Sequence, residues 1–432
     1  MRSSSCSSEK ISIKHITKLF FCYVTVVYAL IATYVFQISE TNAYTGLIPI
    51  SISFVNICYL VAVILFAVIV EMYLVGNPSD FFISLYVTVV LISLATFYNV
   101  SGYISDEALL YWFFILALPI VSILIFENFI PVISFRGVFS QVYIDKIIST
   151  VLILALIVSY FNRPESAGFS IEDAYTRRLD GRDVYKSGSL LAYLLAMSMN
   201  GFTPYLAFKG MSEKRKMPAI LALLCAVYFF WILGIKTPLA LVFVSFLLAY
   251  LLRKNKLRYF TSYLLVTIIL FFIFVVIEWY INDGFSLVAE FFFRRVFVLQ
   301  AQLMGCYFDF INSYKNFNWN YIFGSWDKSF LVTYHIGYEY FGSLNANANT
   351  NAFIYALASK GLMSYTMSVF FVSFFFSLLN KLYLGTNNPS YIFIGFLYGY
   401  LIIEQSFTTA LASSGVGILF LFSILANNST DS

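Results

Sequence analysis

With 432 residues, 60% of them hydrophobic, 20% aromatic and only 11% charged, and a mean hydropathy of +0.83, the chain has the composition of a polytopic membrane protein and not of a soluble globular one. The formal net charge of +4 is small and its cations are scattered among loops, which excludes a nucleic-acid footprint. Charge in such a chain mainly reports topology.

At the N-terminus, Arg2, Lys10, Lys14 and Lys18 precede an apolar run over 19–36. The run is too long for a secretory signal core and lacks a cleavage pattern, so it reads as a retained first span. Further apolar blocks fall near 47–70, 81–98, 109–126, 144–160, 189–208, 218–235, 238–252, 260–280, 351–379, 390–406 and 408–426. Each is close to the length that crosses a hydrocarbon core. The expected fold is all-α, with about twelve transmembrane helices in one integral membrane domain over 1–432. The 218–252 pair forms a hairpin turning at Lys236-Thr237-Pro238, and the last pair turns near Glu404 to Thr408.

Lysine and arginine placement puts both termini in the cytoplasm, on the side of Arg136, Lys146, Lys209, Lys214, Arg215, Lys216, Arg253, Lys254, Lys256, Arg258 and Lys381. Two outer segments break that bias. A first outer loop, 161–188, which the resemblance given below would make periplasmic, carries Arg163, Arg177, Arg178, Arg182 and Lys186. A second, larger one, 281–350, lies between helices nine and ten and carries Arg294, Arg295, Lys315 and Lys328. Basic residues that orientation does not require suggest an anionic ligand on the outer face.

In the first loop, Arg177 and Arg178 precede a glycine turn and can fork onto phosphate oxygens; the plainer reading pairs them with Asp173, Asp180 and Asp183 at the surface, where such pairs stabilise little. Lys236, in a hairpin turn at the outer boundary, is well placed for a lipid phosphate, though a lysine that snorkels from a helix end looks the same.

The second loop opens with Asp283 or Gly284 starting an aromatic helix that holds Arg294 and Arg295 along the membrane interface. Glu290 stands four residues before Arg294, a helix-surface pair of about half a kcal/mol at most. It leaves Arg295 free for a ligand. Downstream come Trp326 and Asp327, then His335 and Glu339 at the i,i+4 spacing of an acid–base pair. The asparagines at 345, 347, 349 and 351 follow, with Asn349 or Thr350 expected to cap the next helix. Glu404 and Gln405 lie at the outer end of the eleventh span, and ionisable residues at span ends are functional hypotheses. No two of Cys6, Cys22, Cys58, Cys225 and Cys306 have metal-ligand spacing, and neither metal nor cofactor is expected.

The helix FFFRRVFVLQAQLMGCYFDF, followed about forty residues later by NANANTNAFIYALASKGLMSY opening a new span, resembles the O-antigen (oligosaccharide repeat unit) polymerases of bacterial inner membranes. The resemblance implies a GT-C-like membrane glycosyltransferase related in architecture to O-antigen ligases. Its substrates would be donor and acceptor glycans carried on undecaprenyl pyrophosphate, its active site would face the periplasm, and a chain-length regulator protein would be a partner. In that family outer-face arginines matter; the matching positions are Arg294 and Arg295 and, more loosely, Arg177 and Arg178. The related ligases carry a histidine just before an asparagine at the start of the matching helix. This chain has Thr350-Asn351, then Gly361, which weighs against a ligase and leaves the base open.

On this reading Arg294 and Arg295, helped by Arg177, Arg178 or Lys236, stabilise the departing pyrophosphate, Glu339 or His335 accepts the hydroxyl proton, and Trp326 with neighbouring tyrosines stacks on sugar rings. Asn349 and Asn351 supply amides toward the ligand. An O-antigen ligase and a repeat-unit flippase or transporter are the alternatives. A flippase would place charge in mid-span, where this sequence has little.

Overall fold

The computed structural model describes residues 13–48, 53–98, 108–135, 137–170, 173–186, 188–313, 331–343 and 346–427. Almost all of it is helix, as the apolar blocks require. Among the described residues, eight helices are long and apolar enough to cross a membrane: α1 (Ile13–Thr41), α2 (Phe54–Glu71), α3 (Pro78–Phe97), α4 (Leu109–Phe126), α5 (Gln141–Phe161), α8 (Lys216–Leu233), α10 (Leu257–Ile281) and α13 (Ala352–Thr386). Between them, α6 is Ala174–Val184 and α7 runs over 190–212, while α9 (Thr237–Arg253), α14 (Ser390–Ile402) and α16 (Val416–Leu425) are shorter and apolar. The remaining helices are α11 over 287–313, α12 (Val332–Phe341) and α15 (Phe407–Ala412). The protein is thus an all-α, multi-pass membrane protein.

The twelve apolar blocks do not all become single spans. The block at 408–426 splits into α15 and α16 because Gly415 takes a left-handed φ of 84°. The one short sheet among the described residues pairs Phe139–Ser140 in parallel with Ala426–Asn427.

The chain clusters into two compact units: Met1–Val75, Ser84–Ile115 and Tyr259–Ser313 in the first, Gly76–Ile83, Leu116–Arg258 and Tyr314–Ser432 in the second.

In the first unit, Trp112 stacks on Phe308 with ring centroids 3.7 Å apart, and the hydroxyls of Ser84 and Thr261 meet at 2.6 Å. The helix carrying the paired arginines is packed into the protein along its second half: every residue from Ala301 to Phe308 is buried, while Leu287, Phe291 and Arg295 in its first half are exposed. Gly305, Ala301 and Cys306 are small enough for close packing, and the buried Gln302 amide donates to the Thr45 carbonyl at 2.8 Å. Asp283 and Gly284, at φ 49° and 94°, form the turn after α10; Ser286 caps α11 by accepting the Ala289 N–H at 3.0 Å.

In the second unit, polar locks tie helix ends together. The Asn380 side chain accepts from Ser79 N at 3.0 Å and donates to its hydroxyl at 2.8 Å. Asp145 is ion-paired with Arg215, and Lys209 lies 2.5 Å from Glu213.

The unit's main irregularity is in α13. Its helical φ/ψ break at Lys360 (φ −152°, ψ 21°) and Gly361 (φ 71°, ψ −163°), the second being a region open essentially to glycine alone. A straight helix would hold Phe353 and Phe376 roughly 34 Å apart. Both instead lie against Phe82, with ring centroids 6.3 Å and 5.0 Å away. The chain therefore folds back at Gly361. The stretch over 362–386 is still long enough to span by itself, and the returning piece before it is buried from Ala352 to Lys360 except for half-buried Tyr355. Asn351, not Asn349 or Thr350, caps that piece, accepting from Phe353 N and Ile354 N at 3.2 and 3.0 Å.

Candidate functional site

The second unit gathers cations at the end formed by α6, the α8–α9 turn and the α14–α15 turn. The loop over 161–189 is pinned to the last turn of α8: Gly168 N donates to the Trp231 carbonyl at 3.0 Å. At Gly234, φ 64°, an added Cβ would stand 2.4 Å from the Ala174 carbonyl oxygen, so only glycine lets α6 come this close.

That docking splits the two arginines of α6. Arg177 turns inward and is only 1% exposed. Its Nη2 donates to the Ser170 carbonyl at 2.6 Å, its guanidinium lies 5.7 Å from the Phe230 ring centroid, and its Nε has no hydrogen-bond partner among the described residues. It is therefore not the surface partner of a neighbouring aspartate. Arg178 faces out and is exposed, and its charge acts on Glu404, in the turn that follows α14.

Glu404 is exposed, yet desolvation raises its carboxyl above the ordinary value, with Arg178 pulling it back down. Its turn is fixed by backbone bonds from Glu404 N and Gln405 N to the Leu401 carbonyl at 3.1 and 3.0 Å and by the Gln405 amide on Ser414 Oγ at 3.1 Å. One helical turn before Glu404, the Tyr400 hydroxyl shares a hydrogen bond with Thr237, the residue after the exposed Lys236, which is the N-cap of α9. Arg178, Glu404, Tyr400, Thr237 and Lys236 thus follow one another across three elements of the unit.

Aromatic rings lie beside this end. Tyr160 and Trp231 stack at 6.4 Å, with the Arg163 guanidinium 4.6 Å from the Tyr160 centroid. The Tyr185 hydroxyl donates to the Ser159 carbonyl at 3.2 Å; burial, with Tyr228 adding, pushes its phenol up to about 12. Sequence reasoning missed this pair because Tyr160 and Trp231 sit inside apolar blocks far apart in the chain. The only signal was that both blocks end in aromatics.

The first unit holds Arg294 and Arg295, on a π-helical stretch, Ala289–Val298. Arg294 Nε lies 2.7 Å from Glu290 Oε2. The Glu290 carboxylate also accepts from Thr41 Oγ1 at 2.7 Å, Asn42 Nδ2 at 3.1 Å and Gln37 Nε2 at 3.3 Å. Arg294 is half-buried in this arrangement and Arg295 is exposed.

His335 and Glu339 are exposed on α12, and neither enters an ion pair among the described residues. Asn349 is exposed, and Asn351 is buried in its capping role. Trp326, with Asp327, Lys315, Lys328 and Asn345, lies outside the described residues. Arg294 and Arg295 belong to the first unit; Arg177, Arg178, Lys236, His335, Glu339, Asn349 and Asn351 belong to the second.

Comparison with protein-family models, with curated proteins and with solved structures finds no match to this chain.

Proposed function

We propose that the chain is a membrane glycosyltransferase of the O-antigen polymerase kind. It joins oligosaccharide repeat units carried on undecaprenyl pyrophosphate, on the periplasmic face of a bacterial inner membrane. Its GT-C-like bundle has about twelve passes, with both termini cytoplasmic and a large periplasmic segment between the ninth and tenth. A lipid-linked glycan is the donor, a second lipid-linked repeat unit the acceptor, and a chain-length regulator a partner.

The observation that carries this reading is the clamping of α6 onto the end of α8, which holds Arg178 exposed beside an accessible carboxylate. Transfer from a lipid pyrophosphate needs fixed cations where negative charge develops on the leaving group, and a guanidinium forks onto phosphate oxygens. Arg178 and Lys236 are exposed cations at this end of the second unit, and Arg295 is an exposed cation of the first. The stacked Tyr160 and Trp231 offer ring faces to a sugar.

The test is genetic. In a strain lacking the native copy, the wild-type chain restores long lipopolysaccharide ladders, whereas Arg178→Ala and Arg295→Ala at equal protein levels leave core bearing a single repeat. Core bearing no repeat in the deletion strain points to a ligase. Full ladders from both variants exclude the arginine assignment.

A further inference from the structure

Helix α6 carries an exposed stripe in which cations alternate with apolar side chains. We infer that this stripe is a docking surface for anionic phospholipid headgroups, which hold the 161–189 loop at the membrane–water boundary. Such binding needs no glycosyl transfer and would hold for a chain of any activity.

The helix sorts its side chains onto three faces. Arg177, Gly181 and Tyr185 recur at every fourth residue and are buried, and a Cβ added to Gly181 would stand 2.5 Å from Leu233 Cδ2. This face is clamped onto the last turn of α8. Asp173, Thr176, Asp180 and Asp183 fall together on a second, acidic face. Tyr175, Arg178, Leu179 and Arg182 stand at i, i+3, i+4 and i+7, the spacing of a single helical stripe, and all four are exposed. Lys186, just past the helix, is exposed as well. Acids and bases alternate along the sequence, and only the helix separates them. Arg182 enters no ion pair among the described residues.

Position decides the occupant. α6 packs on the ends of two spans: the Tyr185 hydroxyl donates to the Ser159 carbonyl of α5 at 3.2 Å, and Ala174 meets Gly234 after α8. Both spans expose apolar side chains, Ile153 and Ile157 on α5 and Leu224 and Val227 on α8, as lipid-facing helices do. Tyr160 and Trp231, stacked at their ends, are the residue types that mark headgroup depth. In the segment leading from α5 toward α6, Phe161 and Phe169 are 80% and 62% exposed, and Gly168 N ties that segment to the Trp231 carbonyl at 3.0 Å. Exposed aromatic and aliphatic side chains interleaved with arginines make the composition of an interfacial segment. Cations at that depth are drawn to anionic headgroups, and the acidic face is left for water. A water-soluble anion would satisfy the cations and leave the aromatic side chains bare.

The experiment uses the full-length chain in nanodiscs of phosphatidylcholine with phosphatidylglycerol as a minor component. The photoreactive p-benzoylphenylalanine replaces Tyr175, Thr176, Leu179 or Asp183 in turn, and lipid adducts are identified by mass spectrometry. Positions 175 and 179 are expected to give adducts enriched in phosphatidylglycerol over its share of the bilayer, and positions 176 and 183 none. Arg182→Gln combined with Lys186→Gln is expected to abolish most of that enrichment, each cation near the surface being worth about a fivefold preference. Equal adducts at all four positions, no lipid adduct at 175 and 179, or enrichment that survives the double variant overturns the docking surface. So does an adduct that forms only when an undecaprenyl-pyrophosphate-linked glycan is added, which would make the stripe part of the substrate site. The dependence on position, read in the otherwise wild-type chain, tests the surface even if the double variant unfolds.

Discussion

Arg294 and Glu290 are joined at 2.7 Å, and the pairing decides what each of the two adjacent arginines can do. Because Glu290 also collects donors from Gln37, Thr41 and Asn42, Arg294 is part of the seam between α1 and α11. Arg295, exposed on the next residue, is the cation left for a ligand. Glu290→Ala and Arg294→Ala should each lower stability, Glu290→Ala by about 2–4 kcal/mol because it strands a cation and several donors. Arg295→Ala should leave thermal unfolding in detergent unchanged while weakening retention of undecaprenyl pyrophosphate. Equal melting losses for all three variants would refute this division.

Gln37 makes a second prediction on the same seam. Its amide donates to the Ser286 carbonyl at 3.0 Å, and its oxygen accepts from Ser286 N at 2.9 Å and from Trp279 Nε1 at 2.8 Å. Gln37→Leu keeps most of the volume but leaves buried groups on α10 and α11 unmatched. The expected cost is about 2–4 kcal/mol, read as a lower midpoint of thermal unfolding. Wild-type stability in this variant would mean that the three bonds stabilise nothing.

This seam shows where sequence reading stops. The long spans were legible because a hydrocarbon core demands about twenty apolar residues, and α1 to α5, α8, α10 and α13 all arise from such blocks. The burial of the second half of α11 was not legible: its aromatic, sparsely polar sequence suits an interface as well as a core. The partners that settle the matter, such as Gln37, Thr41, Asn42 and Thr45 on or just after α1, are about 250 residues away. The turn at Lys360-Gly361 was hidden in the same way. The apolar run at 351–379 continues straight through it, and a glycine inside such a run need not mark a reversal. In the candidate site the basic character of the 161–188 loop was legible, whereas the inward turn of Arg177 depends on how closely α6 approaches α8.

The fold-back in α13 yields a third prediction. At φ 71° and ψ −163°, Gly361→Ala meets a conformation that costs a side chain on the order of 1–3 kcal/mol. Straightening would relieve that strain but would carry Phe353 away from Phe82, 6.3 Å distant in the native ring contact. A cysteine pair at positions 82 and 353 should cross-link with a short bifunctional maleimide in the wild-type background and much less with Gly361→Ala added. Undiminished cross-linking and stability would show that the turn tolerates a side chain.

Glu404 gives the prediction with a defined pH sign. Desolvation raises its carboxyl in the folded chain above the ordinary value of 4.5, although Arg178 opposes the shift. The folded state then binds the proton more tightly than the unfolded one. Its contribution to stability is fully present below the ordinary value and is lost as pH rises through the raised one. At neutral pH the ionised Glu404 is therefore a group the fold would hold better uncharged. Glu404→Gln removes the ionisation, so its thermal midpoint in nanodiscs should match wild type near pH 4 and exceed it at pH 7. Arg178→Gln, by removing the opposing cation, should lower the midpoint at pH 7 more than at pH 4, and adding Glu404→Gln should recover that extra loss. A Glu404→Gln chain less stable than wild type at pH 7 would mean that the carboxylate is held in its charged form by Arg178. Glu404 would then be a structural counter-ion.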